Sequence, residues 1–223
     1  MKSVVIAGSG AVASELTSYI EDHNKHVNET ETIQIRGYID YEHNIEKYWK
    51  SYQFKAPVIA DIESYVPLPG EEVILGVSDI NFRNFLIEEF KKKKIRIGSF
   101  IHHSVIMPQH MEIGEGNIIY PFCIIGSNVK IGCFNMVTSY SFISHDCMIG
   151  NGNFFSTTGI AGHVTIGDNN FFGIRSTVIP QITIGNRNII QASMLIDKNV
   201  GNDSVVFYRY KEKIIAVPKG DKS

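Results

Sequence analysis

The chain has 223 residues, of which 43% are hydrophobic and 20% are charged, and its formal net charge is −2. This balance suits one large or two small folded domains and excludes a largely disordered chain. The near-neutral charge argues against nucleic acid as the main partner, since a phosphate backbone requires a basic face. No apolar run reaches the roughly 18 residues of a membrane span, and three cysteines without a CxxC spacing favour the reducing cytoplasm.

The first residues alternate strand and helix patterns. A buried strand over 4–7 leads into a glycine loop at 8–10, and apolar residues at helical spacing then predict a helix over 12–22. A second strand is predicted over 33–39, and it ends at Asp40. The short apolar stretch at the start is typical of a strand rather than of a secretion signal.

A third strand is predicted over 72–76 and is followed by a helix over 81–92, for which Asp79 is the expected N-cap. The inner face of this helix is expected to carry four apolar side chains. These are Phe82, Phe85, Leu86 and Phe90. Strand–helix alternation of this kind predicts a short parallel sheet, and hence a Rossmann-like α/β domain over residues 1–100.

From residue 101 to about residue 200 the sequence repeats with a period of six. We call every sixth residue from Ile101 a beat residue. All seventeen beat residues are apolar, which chance would give about once in a million at this composition. The beat residues are Ile101, Met107, Ile113, Ile119, Ile125, Ile131, Val137, Ile143, Ile149 and Phe155 and, after a slip of one residue, Ile160, Ile166, Phe172, Val178, Ile184, Ile190 and Ile196. This period predicts a solenoid of short parallel strands, with the beat residues in its core.

Two further positions in each hexad are expected to shape the corners. Glycine often follows the beat residue, as at Gly126, where it is expected to supply unusual backbone angles. Small or amide residues often come four positions after the beat, as at Cys123 and Cys147, where they are expected to fit the narrow interior. The tail over 201–223 breaks the beat, and residues 205–210 are expected to cover the open end of the solenoid.

These hexads resemble the left-handed parallel β-helix of bacterial acyltransferases that use acetyl-CoA. The whole chain resembles one subgroup, which places a Rossmann-like domain before the β-helix. It contains the sialic-acid O-acetyltransferases and the N-acetyltransferases of nucleotide-linked 4-amino-4,6-dideoxy sugars. The resemblance implies a β-helix over 101–200 and a cap over 201–223. The matching segments are Gly8-Ser9-Gly10, Gly37-Tyr38-Ile39-Asp40, Leu75-Gly76-Val77-Ser78-Asp79, Phe100-Ile101-His102-His103-Ser104-Val105, Ile143-Ser144-His145-Asp146-Cys147 and Ala161-Gly162-His163-Val164-Thr165-Ile166-Gly167.

The resemblance also implies a catalytic site in the middle coil. Acyl transfer from a thioester needs a base for the nucleophile and donors for the oxyanion. His145 is the expected base, Asp146 the acid that orients it, and the Gly162 N–H the donor to the thioester oxygen. The family often has another histidine near the acetyl group, nine residues after the base. This chain has Phe154 there, and we expect His163 to replace part of the lost contact.

The glycine loop leaves three interpretations open. Gly8-x-Gly10-x-x-Ala13 with Asp40 nearly matches the dinucleotide fingerprint, which would indicate NAD, and the loop could also be a purely structural turn. The resemblance instead implies a site for the nucleotide of a sugar donor, with its diphosphate on the loop and Asp40 bonded to the base or ribose. The substrate-binding residues are then Gly8, Ser9, Gly10, Asp40, Gly76, Ser78 and Asp79.

The remaining histidines have no predicted chemistry. His102 and His103 lie where the family usually has His-Pro, and both are expected to be structural. The other four show no ligand spacing, so the sequence predicts no metal site. These are His23, His26, His43 and His110. Residues 215–219 weakly resemble the family's segment near the CoA adenine.

The resulting prediction is a cytoplasmic, homotrimeric N-acetyltransferase that uses acetyl-CoA. Its expected acceptor is the 4-amino group of a nucleotide-linked 4-amino-4,6-dideoxy sugar destined for a cell-surface polysaccharide. No nucleic acid, membrane or metal is expected to take part. Two alternatives stay open. One is O-acetylation of a sialic-acid-type sugar, whose carboxylate Arg83 could bind, and the other is a non-catalytic solenoid that serves in binding or assembly.

Overall fold

The computed structural model describes residues 1–208, and the chain begins with a four-stranded parallel sheet. The strands are β1 (Lys2–Ala7), β2 (Ile33–Ile39), β3 (Val58–Ala60) and β4 (Glu72–Leu75), in the spatial order β3-β2-β1-β4. The helices are α1 (Ala11–Asn24), α2 (Glu42–Tyr48) and α3 (Ile80–Lys92), with 3-10 turns at Glu29–Glu31 and Trp49–Ser51. The three predicted strands and two predicted helices are confirmed to within two residues. Sequence patterns missed α2, which buries none of its residues, and the three-residue edge strand β3.

The inner face of α3 differs from the prediction at one position. Asp79 caps the helix as expected, because its carboxylate accepts a hydrogen bond from the Phe82 N–H at 2.7 Å. Leu86 is fully buried, but Phe85 is 48% exposed. Arg83 is buried on this helix instead.

From Phe100 to residue 208 every strand is two residues long. The strands are β5 (Phe100–Ile101), β6 (Glu112–Ile113), β7 (Ile118–Ile119), β8 (Ile124–Ile125), β9 (Lys130–Ile131), β10 (Met136–Val137), β11 (Phe142–Ile143), β12 (Met148–Ile149), β13 (Phe154–Phe155), β14 (Gly159–Ile160), β15 (Thr165–Ile166), β16 (Phe171–Phe172), β17 (Thr177–Val178), β18 (Thr183–Ile184), β19 (Ile189–Ile190), β20 (Leu195–Ile196) and β21 (Val205–Val206). They stack into three parallel sheets, β5-β7-β10-β13-β16-β19-β21, β8-β11-β14-β17-β20 and β6-β9-β12-β15-β18. This is the three-sided parallel β-helix that the hexads predict.

The beat residue is the second residue of each strand from β5 to β20 and faces the core, as predicted. Met107, which follows the isolated bridge residue Ile106, also packs against the core but lies in no strand. The one-residue slip in the repeat shortens one corner, but the core residues of successive coils stay aligned. Phe155 and Ile160 are five residues apart, yet Ile160 pairs with Ile143 on one side and with Val178 on the other. The chain absorbs the missing residue at Thr157, whose φ of +47° makes a tighter corner.

The left-handed backbone conformation at the corners does not fall on the glycines where we expected it. It occurs three residues after the beat, at non-glycine residues such as Asn128 and Asp146, both with φ +58°. Gly126 directly follows a beat residue, and a Cβ there would lie 2.6 Å from the backbone nitrogen of His145 in the next coil. Glycine at this position therefore permits close stacking of coils rather than unusual backbone angles.

The narrow interior positions are buried as predicted, including Cys123 and Cys147. At one corner they form a ladder of asparagines, in which each side-chain Oδ1 accepts the backbone N–H of the next asparagine at 2.8–2.9 Å. Its members are Asn117, Asn135, Asn153, Asn170 and Asn188. Because these N–H groups are buried, the ladder supplies acceptors that solvent cannot provide.

An apolar cluster joins the α/β sheet to the β-helix. Leu16 and Ile20 of α1 belong to it together with Phe100, Tyr120 and other residues of the β5-containing sheet. The last strand of that sheet, β21, pairs with β19 at the end of the solenoid. Phe207 and Tyr208, which were predicted to continue this strand, lie outside it and are exposed. Residues 209–210 and the whole 215–219 segment lie outside the described residues. None of the helices in the described part of the chain has the length and apolar content of a membrane span.

Candidate active site

His145 and Asp146 form a hydrogen-bonded pair at the corner after β11. His145 lies two residues beyond the core residue Ile143, so its side chain leaves the core and is 59% exposed. Its Nδ1 lies 2.8 Å from Asp146 Oδ2. An ionised carboxylate can only accept, so Nδ1 carries the proton and Nε2 keeps a free lone pair. That nitrogen is the basic atom the chemistry requires.

The Asp146 carboxylate is held from a second direction. Asn128, 18 residues earlier on the preceding coil, donates from Nδ2 to Asp146 Oδ1 at 2.7 Å. The hydrogen bonds from Asn128 and then from His145 lower the pKa of Asp146, so its carboxyl is ionised at neutral pH. Sequence reasoning missed Asn128, although the hexad repeat places it one coil before Asp146 at the same corner.

Gly162 lies on the following coil, directly against the imidazole of His145. A Cβ at Gly162 would lie 2.7 Å from Cε1 and 2.8 Å from Nε2 of that ring. The neighbouring N–H groups are both engaged, that of Ala161 with Val178 O and that of His163 with His145 O, each at 3.1 Å. The Gly162 N–H has no acceptor among residues 1–208, which leaves a free donor beside the basic nitrogen.

His163 adds a second imidazole to the corner. Its Nε2 lies 3.8 Å from Asp146 Oδ2, and its ring stands edge-on to that of His145 with 5.2 Å between the centroids. Both histidines therefore face the same carboxylate. The structure brings together four of the predicted residues, His145, Asp146, Gly162 and His163.

A substitution at His163 tests its expected contact with the acetyl group. His163 adopts φ +60°, which asparagine tolerates, so His163→Asn removes the imidazole with little backbone strain. We expect kcat/KM for acetyl-CoA to fall about tenfold, or ~1.4 kcal/mol of transition-state binding. Ser193→Asn, at another corner with φ +61°, is the matched control. Unchanged kcat and KM in His163→Asn would remove His163 from the site.

Phe154 is not brought to this corner. It is the first residue of β13 and lies on a different sheet from His145. Its side chain is 8% exposed and stacks on Phe171 with 5.3 Å between ring centroids, inside the cluster that joins the two parts of the chain. The expected contact of Phe154 with acetyl-CoA is therefore not formed within one chain, because the ring is used for packing.

The glycine loop after β1 is shaped by close contacts and leaves a helix start open. Gly8 has φ +121°, and a Cβ there would lie 2.7 Å from Gly76 O. Gly10 is the N-cap of α1 and, having no side chain, leaves the first N–H groups of the helix uncapped. The space where a Cβ would lie is open, since the nearest atom belongs to Tyr48 and is 4.0 Å away. The N–H groups of Ala11 to Ala13 have no acceptor in the described residues. Such free N–H groups at the start of a 14-residue helix suit an anion.

Asp40 does not have the free carboxylate that we expected. It is 3% exposed, and its Oδ2 accepts from the Ser9 N–H at 2.8 Å and from the Ser9 hydroxyl at 2.7 Å. Its Oδ1 accepts from the Tyr41 N–H and from Asn44 Nδ2, each at 2.8 Å. Four donors saturate a carboxylate. In this structure Asp40 therefore has no unoccupied acceptor for the predicted bond to a base or ribose, and Ser9 and Asp40 tie the loops after β1 and β2 together.

This role of Asp40 predicts a loss of stability. Asp40→Asn turns one buried acceptor into a donor that faces other donors, so we expect the free energy of unfolding to fall by about 1–3 kcal/mol. Chemical denaturation measures the change. The control is Asp61→Asn, since the Asp61 carboxylate accepts one exposed N–H, that of Glu63. Equal stability of the two variants would contradict the saturated role.

Ser78 and Asp79 line a cavity of about 620 Å³ between the start of α3 and the β-helix. Asn84 and Arg187 lie on its walls, while neither His145 nor Gly162 does. Within one chain this cavity and the catalytic corner are therefore lined by different residues.

His102 is buried beside α1, with Nδ1 2.8 Å from Ser104 Oγ. Burial lowers the pKa of His102 to about 4, so its imidazole is neutral at neutral pH.

Comparisons with known proteins bear on the fold. No protein-family model and no curated protein matches this chain. Among solved structures, PerB from Caulobacter crescentus, in complex with CoA and GDP-perosamine, is 20% identical with a TM-score of 0.73, covering 92% of this chain and 93% of that chain. The acetyltransferase domain of PglB from Neisseria gonorrhoeae FA1090 is 16% identical with a TM-score of 0.73, covering 90% and 93%. WeeI from Acinetobacter baumannii AYE is 18% identical with a TM-score of 0.69, covering 92% and 96%.

At these identities the likeness is one of fold, and it extends over both parts of the chain. The predicted fold class, a Rossmann-like parallel sheet followed by a left-handed parallel β-helix, is confirmed. The predicted resemblance is confirmed at the same level, since the matching structures include acetyltransferases of this two-part architecture. The chain therefore has the fold of PerB and of the PglB acetyltransferase domain over at least 90% of its length.

Proposed function

We propose that this protein is an acetyl-CoA-dependent N-acetyltransferase whose acceptor is the 4-amino group of a nucleotide-linked 4-amino-4,6-dideoxy sugar. The observation that carries the proposal is the exposed His145–Asp146 pair with the Gly162 N–H beside its basic nitrogen. The fold adds support, because PerB was solved with CoA and GDP-perosamine, and the PglB domain with acetyl coenzyme A.

The residues divide the chemistry among them. His145 Nε2 takes a proton from the attacking amine, directly or through a water, while Asp146 holds the resulting imidazolium. The amine nitrogen bonds to the carbonyl carbon of the thioester, and the Gly162 N–H stabilises the negative charge on its oxygen. The carbon–sulfur bond then breaks, and His145 returns the proton to the departing thiolate. No acetyl-enzyme is required, since two substrates held side by side gain much of the rate from orientation.

The start of α1 offers hydrogen-bond donors for the phosphate groups of the nucleotide. The free N–H groups of Ala11 to Ala13 can hold a diphosphate, and the Gly8–Gly10 loop lets it approach the backbone. Because Asp40 is saturated, contacts to the base or ribose must come from other residues, and Ser78 beside the cavity is one candidate.

Arg83 argues against the sialic-acid alternative. The free sugar acid needs a cation for its carboxylate, and Arg83 was the candidate. Its guanidinium is 2% exposed and donates to Val77 O at 3.0 Å and to Phe134 O at 3.1 Å. Burial lowers the pKa of Arg83 to about 10, so the guanidinium is still charged at neutral pH. Its hydrogen bonds, however, connect α3 of the first part of the chain to the β-helix. It has no free face for a ligand.

A homotrimer would bring a neighbouring chain to the catalytic corner. The outer face of the β8-containing sheet exposes apolar side chains that neither the α/β sheet nor the tail through residue 208 covers. Ile124 and Phe142 are neighbours on β8 and β11 and are 50% and 43% exposed, and Leu195 on β20 is 54% exposed. Exposed apolar side chains of this kind suit a symmetric contact. The trimer, the cytoplasmic location, the role in polysaccharide synthesis and the boundaries 1–100, 101–200 and 201–223 stay predictions.

A thiol-release assay with acetyl-CoA tests the proposal. The acceptors are nucleotide-linked 4-amino sugars, the same sugars without the nucleotide, and sialic acids. We expect saturable release of CoA only with a nucleotide-linked amine, together with an amide product by mass spectrometry. Turnover of sialic acid would favour the O-acetyltransferase alternative. Absence of acetyl-CoA binding by calorimetry would favour the non-catalytic solenoid.

A further inference from the structure

Three potential metal ligands meet where α1 packs against the first coil of the β-helix. Asp22 lies on α1, and His102 and His103 follow β5. Asp22 Oδ2 lies 3.3 Å from His102 Nε2 and 3.5 Å from His103 Nε2. All three ligand atoms lie within 4.8 Å of one another.

These distances match the edges of a zinc coordination sphere. Zn²⁺ binds imidazole nitrogen and carboxylate oxygen at about 2.0–2.1 Å, so neighbouring ligands in a tetrahedron lie roughly 3.3 Å apart. Two of the three edges formed by Asp22, His102 and His103 have this length. Imidazole and carboxylate are also the ligand types that zinc accepts in proteins.

The buried nitrogen of His102 is an independent indication. The side chain has no exposed surface, and its Nε2 has no hydrogen-bond partner in the described part of the chain. Its Nδ1 lies 2.8 Å from Ser104 Oγ and accepts the Ser104 backbone N–H at 3.3 Å, so without metal the ring proton lies on Nε2 and faces Asp22. A buried polar group without a well-aligned partner is costly, and a cation between Nε2 and the carboxylate would replace this proton and satisfy both groups.

The surrounding histidines hold the ligands in place. His23 Nδ1 accepts the His103 backbone N–H at 3.0 Å. The His26 ring stacks on that of His103 with 4.4 Å between centroids. Such outer contacts fix the orientation of metal-binding imidazoles. His26 Nδ1 lies 2.8 Å from the Asp22 carbonyl oxygen, which can only accept, so Nδ1 donates there and a water would complete the sphere.

We propose that Asp22, His102 and His103 bind one Zn²⁺ ion, which clamps α1 to the first coil of the β-helix. Sequence spacing could not indicate this site, because Asp22 and the two histidines are about eighty residues apart. The proposal revises the expectation of no metal and is independent of the proposed acetyl transfer.

The test uses the untagged full chain after dialysis against a chelator. Zn²⁺ and Co²⁺ are titrated in, bound metal is counted by mass spectrometry, and the visible spectrum of the Co²⁺ form is recorded. We expect one ion per chain and the intense visible bands of four-coordinate Co²⁺. Zn²⁺ at 100 times its Kd should raise Tm by roughly 5–10 °C.

Variants locate the ion. Asp22→Asn and His103→Ala change partly exposed side chains and are expected to weaken metal binding at least tenfold, while His110→Ala binds as the native chain does. His145→Ala should also retain the ion, which matters because His145, Asp146 and His163 form another group of potential ligands. Loss of the ion in His145→Ala but not in His103→Ala would overturn the proposal, as would absence of stoichiometric binding. If His103→Ala does not fold, Asp22→Asn decides.

Discussion

His145→Ala is expected to lower kcat for acetyl transfer by about 10²- to 10⁴-fold, because it removes the group that accepts the proton of the attacking amine. The fold should be unaffected, since the imidazole is 59% exposed at a corner and contributes nothing to the core. Steady-state kinetics with acetyl-CoA and the best amino-sugar acceptor measures the effect. Calorimetry should show nearly unchanged affinity for acetyl-CoA.

Two controls make this result specific. His110→Ala removes another histidine of the β-helix and should leave kcat unchanged. Circular dichroism and thermal melting establish that His145→Ala is folded. Native turnover by a folded His145→Ala protein would refute the assignment of the base. Equal losses in both variants would point to a general effect of substitutions in the β-helix.

Gly162→Ala is expected to lower kcat about 10²-fold without unfolding the protein. The added Cβ would lie 2.7 Å from Cε1 and 2.8 Å from Nε2 of His145, so the imidazole must turn away. Misplacement of a catalytic group by about 1 Å can cost this much. The ring has solvent on its other side, so it can move without disturbing the core.

Gly201→Ala is the matched control for this experiment. Gly201 also lies in the β-helix, but no atom lies within 4 Å of the position of its missing Cβ. The control should have native activity and stability. If Gly162→Ala retains native kcat, the imidazole does not need the position that the structure gives it, and the proposed placement of the base is wrong.

Much of the fold follows from periodicity, and so does half of the site. The hexads place each beat residue in the core, and a period of three hexads stacks His145 against Gly162 across the shortened coil. Residue types then suggest the chemistry. The same period places Asn128 one coil before Asp146, at the same corner. The sequence has many asparagines at corners, so nothing marked Asn128 as the one that binds the catalytic carboxylate.

Two side chains, Asp40 and Phe154, have surroundings that the sequence did not lead us to expect, for physical reasons that a linear sequence does not display. Asp40 follows β2 as a nucleotide-binding acid would, but Ser9 and Asn44 occupy its oxygens. Phe154 occupies the position nine residues after the base, yet the α/β sheet packs close to its strand and buries it. Both outcomes depend on contacts between segments far apart in the chain, and so does the histidine cluster around Asp22.

The apolar cluster shared by the two parts of the chain has a practical consequence for expression. A fragment that starts near residue 100 would keep every hexad and the whole catalytic corner. It would also expose four residues on one face of the β-helix that are at most 2% exposed in the intact chain. These are Phe100, Ile118, Tyr120 and Met136. This exposed apolar patch would favour aggregation, so a minimal catalytic fragment needs polar substitutions at these positions to stay in solution.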